Sequence, residues 1–457
     1  MSNTLTSTHQ TYFKKIMLIA LPIIVQGLVI HFQTLINRMF LGHSKVEYFS
    51  AVGNTIFPYS ATITIIIAAS TGLTILIAQN LGAKNHAVVK DYMYTSIQYS
   101  TILSLALFVL WFFFSESIFS LMGVDKNLLV YCVGYVRILS FSLIFLGVDT
   151  CLHATLQGCG YTNPIMYAGI SKVILNILLD WSLIFGNLGF RPMGIEGAAL
   201  ATTISNIFGT CILFLYILNS ERLPIQVKLS EMIGFKKFDS FKNVLRIGLP
   251  TGFESFVWYI GVLVMIRTLN TLDNLAVGIY TLVYGIDIAV FSIYNGIARA
   301  SLTLIGNKIG EANEKGAKKI LSFTIKLNLA LVSIIFLVFF VFVKQILGIF
   351  TTDAQMIEKA TFFFIMMTCT LFPRSLNTIV GSGIRAFGDT KWMLYTQIFG
   401  TIFVVTASLV TVFVFRFGIL GIYLTILMDE SIRAIYNTLY FYKRKANTEV
   451  NSERLLA

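Results

Sequence analysis

The chain repeats itself. Ile19-Ala20-Leu21-Pro22 returns 228 residues later as Ile247-Gly248-Leu249-Pro250, and Ile77 to Gly82 (IAQNLG) returns as Ile305 to Gly310 (IGNKIG). At the same spacing, Ser117 to Asp125 returns as Gln345 to Asp353, both ending in an acid, and Leu156 to Thr162 (LQGCGYT) returns as Ile384 to Thr390 (IRAFGDT). One spacing shared by four separate pairs makes the chain two copies of one design. Both copies are greasy, and duplicated hydrophobic halves mark many secondary transporters, whose substrate site lies between the repeats.

Only 12% of the residues are charged and the mean hydropathy is +0.78, against about 25% charged in an ordinary soluble domain. Apolar runs of ~20 residues, each long enough to cross ~30 Å of hydrocarbon as a helix, follow one another along the chain. Twelve are predicted: 14–38, 50–78, 92–114, 130–153, 164–186, 196–218, 243–269, 276–303, 319–343, 358–383, 392–415 and 418–442. The runs are continuous rather than alternating, which favours helices over barrel strands. The fold class expected is therefore all-α and integral to the membrane. Six spans per copy is an even number, so the repeats enter from the same side and run parallel.

Charge sets the orientation. The termini and alternate loops hold 20 of the 34 Lys and Arg, while the opposite loops hold seven: Lys45, Lys126, Arg191, Arg267, Lys344, Lys359 and Arg416. The positive-inside rule then puts both termini in the cytoplasm. The net charge of +12 is a topology signal, and no nucleic-acid partner is needed to explain it. The first thirteen residues are polar and the first apolar run is a full span, so no cleavable signal is expected. The five cysteines (Cys132, Cys151, Cys159, Cys211, Cys369) lack ligand spacing, which predicts neither disulfides nor a metal cluster. The organisation expected is a six-helix lobe over 1–218, a cytoplasmic linker over 219–242 carrying Lys236, Lys237 and Lys242, a second lobe over 243–445 and a tail over 446–457. No Walker A loop, HExxH or serine elbow is present, and no soluble domain houses an enzyme.

Four motifs follow one another in order. They are LxGxGxTxP at Leu156 to Pro164, Asn176-Ile177-Leu178-Leu179-Asp180 with Ile184-Phe185-Gly186, Gly197 to Thr202 (GAALAT), and Gly381 to Thr390 (GSGIRAFGDT). Together they resemble the multidrug and toxic compound extrusion (MATE) transporters, and most closely the bacterial DNA-damage-inducible-F-like branch, from Tyr12 to about Lys445. The resemblance implies two lobes forming a V around a central cavity in a bacterial inner membrane, in a monomer. It also implies export of a small organic substrate against inward sodium ions or protons, with no other cofactor.

Ionisable residues inside spans cost roughly 2.5–3.5 kcal/mol each and need an account. Asn176 and Asp180 are spaced i, i+4 on one face of the fifth span. Asp180 lies about 24 Å in from Pro164 at 1.5 Å per residue. A carboxylate beside an amide and a hydroxyl offers hard oxygen ligands to a small cation, and a buried carboxylate suits proton exchange. The resemblance implies a coupling set of Asn176, Asp180 and Thr202 with an aspartate in span one, where this chain has Asn37 instead. A sodium ion at Asp180 is the one metal to consider. Asp180 could otherwise cap a helix break or pair with a polar neighbour. Lys172, two i+4 steps before it, is either its counter-charge or a lining residue nearer the inner face.

In the second copy, Glu254 and Asp287 fall near mid-bilayer, and the tenth span carries Arg374 and Asn377 instead of the acid the resemblance implies. Arg374 can neutralise Asp287 or Glu254, as a locked network or as a pair that opens. Pro22 and Pro250 stand at the same place in each copy, and each removes a backbone hydrogen bond and bends its helix, as a static kink or a gate. The rival function is a flippase for a lipid-linked saccharide or another amphipathic anion, which Lys172, Arg374 and Asn37 would suit. A receptor without transport is disfavoured by the duplication of prolines and loops.

Overall fold

The computed structural model describes residues 2–234, 237–272 and 274–443. The tail and Lys236 of the expected linker therefore lie outside the described residues. The described chain is helical throughout, with no strand. In the first copy the helices are α1 (Ser2–Ser44), α2 (Val46–Gly82), α3 (His86–Leu121), α4 (Lys126–Ser140), α5 (Leu143–Gly158), α6 (Asn163–Phe185) and α7 (Ile195–Asn219). A short α8 (Leu229–Ile233) leads to the second copy: α9 (Phe238–Asn270), α10 (Asn274–Gly310), α11 (Glu314–Val341), α12 (Val343–Gly348), α13 (Ala354–Ala386), α14 (Thr390–Leu409) and α15 (Ile419–Lys443).

Ten of these are long and apolar enough to span a bilayer, and α4 with α5, bent by 51°, makes an eleventh. The twelfth expected span is α15, whose 25 residues reach across but carry Asp429, Glu430 and Arg433 mid-helix, all buried. Large apolar side chains such as Phe113, Ile334 and Val341 are more than half exposed, while Thr55, Ser104 and Asn328 are fully buried. That inversion suits a chain whose surroundings are hydrocarbon.

The spacing of 228 holds in the helices themselves: α2 and α10 begin and end at that offset, and the ends of the α4–α5 pair and of α13 match too. The reasons are local. Asp125 and Asp353 each cap the following helix, accepting from Asn127 N and Gln355 N at 2.9 Å. Gly160 (φ +78°) and Gly388 (φ +82°) close the preceding helix in the left-handed region that glycine alone enters without strain. Where α4 and α5 break near Phe141, α13 runs on unbroken.

By compactness the chain divides into Val25–Gly252 and, separately, Met1–Ile24 with Phe253–Ala457. The boundaries therefore differ from the expected 218 and 243: the opening segment of each copy's first helix is grouped with the other copy. Each boundary falls two residues beyond Pro22 or Pro250, although α1 and α9 remain helical through their prolines. What draws α9's opening segment to α2 is missing side chains. A Cβ on Gly72 would stand 2.2 Å from Val244 O, and one on Gly248 2.2 Å from Ala68 O. In the other unit a Cβ on Gly296 would meet Ile24 Cγ1 at 2.4 Å. In lipid, where apolar burial no longer drives helices together, such small-residue contacts do.

Gly72→Ala and Gly248→Ala should each cost ~1–3 kcal/mol, as overpacking does. Gly53→Ala, with nothing within 4 Å of the added carbon, should be neutral or slightly stabilising. Thermal unfolding of the detergent-purified chain compares the three directly.

Candidate functional site

Within Val25–Gly252 three helices bring polar groups together. The second half of α1 supplies Gln33 and Asn37, α6 supplies Asn176 and Asp180, and α7 supplies Thr202. Glycines let the helices approach: a Cβ on Gly169 would sit 2.7 Å from Gln26 on α1, and one on Gly197 of α7 would sit 2.8 Å from the backbone of Leu183 on α6. Asn176 and Asp180 are fully buried. With its NH2 turned to the carboxylate, Asn176 donates to Asp180 Oδ2 at 3.1 Å and accepts from the Thr202 backbone N–H at 3.3 Å. Gln33 and Asn37 reach the same end of the Asn176 amide, Asn37 at 3.1 Å.

Asn37, Asn176, Asp180 and Thr202 thus converge, but Thr202 touches Asn176 through its backbone, where a hydroxyl ligand was expected. Gln33 was not singled out from the sequence, although it stands one helical turn before Asn37 on the same face. Asp180 Oδ1 is buried with no hydrogen-bond partner. Among the described residues no basic side chain pairs with Asp180. The cluster is a carboxylate among amides: Asn176 donates to one of its oxygens and the other is left without a hydrogen-bond partner.

Thr202 also opens on a cavity of about 310 Å³. Thr202, Asn206 and Thr210 form a stripe at i, i+4 and i+8 on α7, facing Tyr59 of α2 and Tyr135 of α4. Asp149 and Lys172 are its two charged lining residues. Thr210 Oγ1 donates to Asp149 Oδ1 at 3.0 Å, and His153 Nε2 lies 3.8 Å from Asp149 Oδ2. Eight residues of helix separate Lys172 from Asp180, about 12 Å along the axis. Lys172 is a lining residue, and the counter-charge alternative falls.

The acids of Phe253–Ala457 are held differently. Arg374 binds Asp287 and donates from Nε to Glu430 Oε1 at 3.1 Å. Asn377 donates to Glu430 Oε2 at 3.1 Å and accepts from Asn437 at 2.8 Å. Arg433 lies 2.6 Å from Asp429 and 3.2 Å from Glu430, and donates to Gln397 Oε1 at 2.8 Å. Glu254, expected beside Asp287, Arg374 and Asn377, is instead paired with Arg385 at 2.5 Å. Asp287 is therefore the partner Arg374 takes. Each of these acids has an arginine, which is what burial of a carboxylate demands.

The two arrangements occupy corresponding places. At the repeat spacing of 228 the cavity residues Tyr59, Leu146 and Asp149 become Asp287, Arg374 and Asn377. The loop before the last helix is four residues shorter in the second copy, with Gly194 and Gly418 both at φ +56° fixing the register. Asn206 then becomes Glu430. What is open space in one copy is an ion-pair network in the other.

The MatE family model matches the chain twice, over residues 22–182 and 250–410, again at the spacing of 228. A probable multidrug resistance protein NorM of Thermotoga maritima is 26% identical over 437 residues, 94% of this chain and 92% of that protein. The multidrug export protein MepA of Staphylococcus aureus is 24% identical over 451 residues, 97% of this chain and 96% of that one. A crystal structure of MATE in the bent conformation superposes with a TM-score of 0.87 at 19% identity, covering 98% of this chain and 97% of the other. At that identity the structural likeness speaks for the fold.

Glu430→Ala leaves Arg374 with Asp287 and Arg433 with Asp429 but takes the acceptor from Arg374 Nε and Asn377 Nδ2, so a loss of ~1–3 kcal/mol is expected. Asp180→Asn removes a charge that has no cation to lose, so its melting temperature should match the parent or exceed it. Side-by-side thermal melts of the two variants read the contrast.

Proposed function

The chain belongs to the MatE family, and from that premise we propose that this membrane transporter is a cation-coupled antiporter, exporting small organic compounds by alternating access. Asp180 is the coupling carboxylate, exchanging a proton or a sodium ion, with the amides of Asn176, Asn37 and Gln33 around it. One observation carries this reading: Asp180 stands in its cluster without a basic partner, whereas Asp287, Asp429, Glu430 and Glu254 are each paired with arginine. A locked carboxylate cannot change occupancy during a cycle. A lone one must be neutralised by something that comes and goes. The unit boundaries just beyond Pro22 and Pro250 support bending there, where a backbone hydrogen bond is missing. The bacterial relatives support a bacterial inner-membrane protein, and the Lys and Arg distribution supports both termini in the cytoplasm. Flipping of a lipid-linked anion loses Arg374 as a phosphate ligand, because Asp287 and Glu430 already occupy it.

Ethidium efflux from proteoliposomes, driven in turn by an imposed proton and an imposed sodium gradient, tests the reading. One gradient should drive efflux, and Asp180→Asn should reduce the driven rate at least tenfold, about 1.4 kcal/mol or more. An unchanged rate in that variant removes Asp180 from the mechanism.

A further inference from the structure

The segment between the two copies is bound down along its length. Leu223, Ile225 and Val227, alternate residues of the stretch before α8, are buried in the core shared by α2, α3, α5 and α7. Beyond them α3 holds each successive part. Tyr94 Oη accepts from the Lys228 N–H and donates to Glu231 Oε2, both at 3.1 Å. Gln98 Nε2 donates to Met232 O and Gly234 O, both at 2.7 Å, and Ser240 donates to Asp91. Tyr99 packs on Phe238 and Phe241 with ring centroids 5.0 and 5.4 Å apart. Residues 228–241 are thereby gathered on the stretch Asp91 to Tyr99, about 12 Å of helix. What this leaves outward is basic. Arg222, Lys228, Lys237, Lys242 and Arg246 are exposed, against two exposed acids, Glu221 and Asp239. The other acids are turned inward: Glu231 bonds Tyr94 and lies 3.6 Å from Lys90, and Asp91 takes Ser240. Phe238, Lys242 and Arg246 follow one another at i, i+4 and i+8 on one exposed face of α9, so two like charges stand one turn apart and repel. The large apolar side chains exposed on α3 begin at Ile102, one turn beyond Tyr99. The basic face therefore lies where hydrocarbon gives way to headgroups.

We propose that this face binds an anionic phospholipid, with the lipid phosphate on Lys242 and Arg246, Lys237 beside it and Phe238 at the level of the glycerol. A phosphate between the two cations of α9 turns their repulsion into attraction, and an aromatic ring suits the boundary layer. Each Lys or Arg held near an anionic leaflet strengthens the attraction about fivefold. A loose linker would lose freedom on meeting lipid, whereas the bonds from Tyr94, Gln98 and Asp91 set the spacing of these cations beforehand. The start of α11 gives the contrast. Lys315, Lys318 and Lys319 lie there, but no large apolar side chain is exposed on that helix before Ile334. Lipid held at Lys242 and Arg246 anchors the opening turns of α9, the segment that leads into Pro250.

The full-length chain, purified in a neutral detergent, is titrated with phosphatidylglycerol and separately with phosphatidylcholine of the same acyl chains, and bound lipid is counted by native mass spectrometry. Phosphatidylglycerol should bind at least tenfold more tightly. Lys237→Gln, Lys242→Gln and Arg246→Gln made together should bring the preference below threefold, and Arg246→Gln alone should lower it at least threefold, which keeps the test open if the triple variant fails to fold. The charge-keeping set Lys237→Arg, Lys242→Arg and Arg246→Lys should retain the preference. So should Lys315→Gln, Lys318→Gln and Lys319→Gln together, which separates this face from basic character in general. Equal binding of the two lipids by the parent, a preference unchanged in Arg246→Gln or in the first triple variant, or one lost equally in the α11 variant overturns the proposal. Displacement of phosphatidylglycerol by glycerol phosphate overturns it too, because a free headgroup would then suffice.

Discussion

A carboxylate taken into hydrocarbon must be answered by something, and this chain gives that answer in two ways on one backbone plan. In Phe253–Ala457 the answer is permanent: Arg374 joins Asp287 to Glu430, and Arg433 joins Glu430 to Asp429. In Val25–Gly252 the answer is incomplete, since amides surround Asp180 but leave its Oδ1 without a partner. The first solution ties its members to one another, because removing one leaves buried donors of its neighbours without an acceptor. The second leaves one carboxylate oxygen unanswered, which on the antiport reading is where the coupling proton or sodium ion binds.

Duplication explains why both solutions coexist. A second copy of a six-helix plan inherits its caps, its turns and its close helix approaches, which is why Asp125 and Asp353, or Gly160 and Gly388, do the same work. Interior positions carry no such obligation once the backbone is secure. Tyr59, Leu146, Asp149 and Asn206 surround space, while their counterparts Asp287, Arg374, Asn377 and Glu430 fill it with charge. On the antiport reading, one copy serves as scaffold and the other as site. The exchange of Lys172 over Gly209 for Arg433 over Gly400 shows how little backbone change this requires.

The helices, their order and their duplication were legible because they depend on local chemistry: apolar length, capping acids and glycines in the left-handed region. The Asn176–Asp180 pair was legible for the same reason, as two polar residues one turn apart in an apolar run. Partners from elsewhere in the chain were not. Glu254 takes Arg385, 131 residues away, and no periodicity connects those two. The pull of each opening half-helix toward the other copy was equally hidden. For α9 it depends on Gly72 and Gly248 meeting backbone to backbone, and for α1 on Gly296 lying against Ile24, and a glycine in sequence does not announce what approaches it. Lys172 shows the limit of reading a single face, since helical spacing aligns it with Asp180 while two full turns keep them apart.

Asn37 in place of an acid has a consequence for coupling. With an aspartate there, the cluster would hold two carboxylates, which repel unless at least one is protonated or a divalent charge is bound. With Asn37 it holds one, and a single monovalent cation neutralises it completely. The amide keeps the geometry, since Asn37 still reaches Asn176 at 3.1 Å, and removes one titratable group. Gln33 extends the same logic by adding a neutral oxygen donor one turn away. On the antiport reading, such a site exchanges at most one elementary charge per cycle at this position. The neighbouring cavity, with Lys172 and Asp149 balanced in formal charge, adds no net charge to that total.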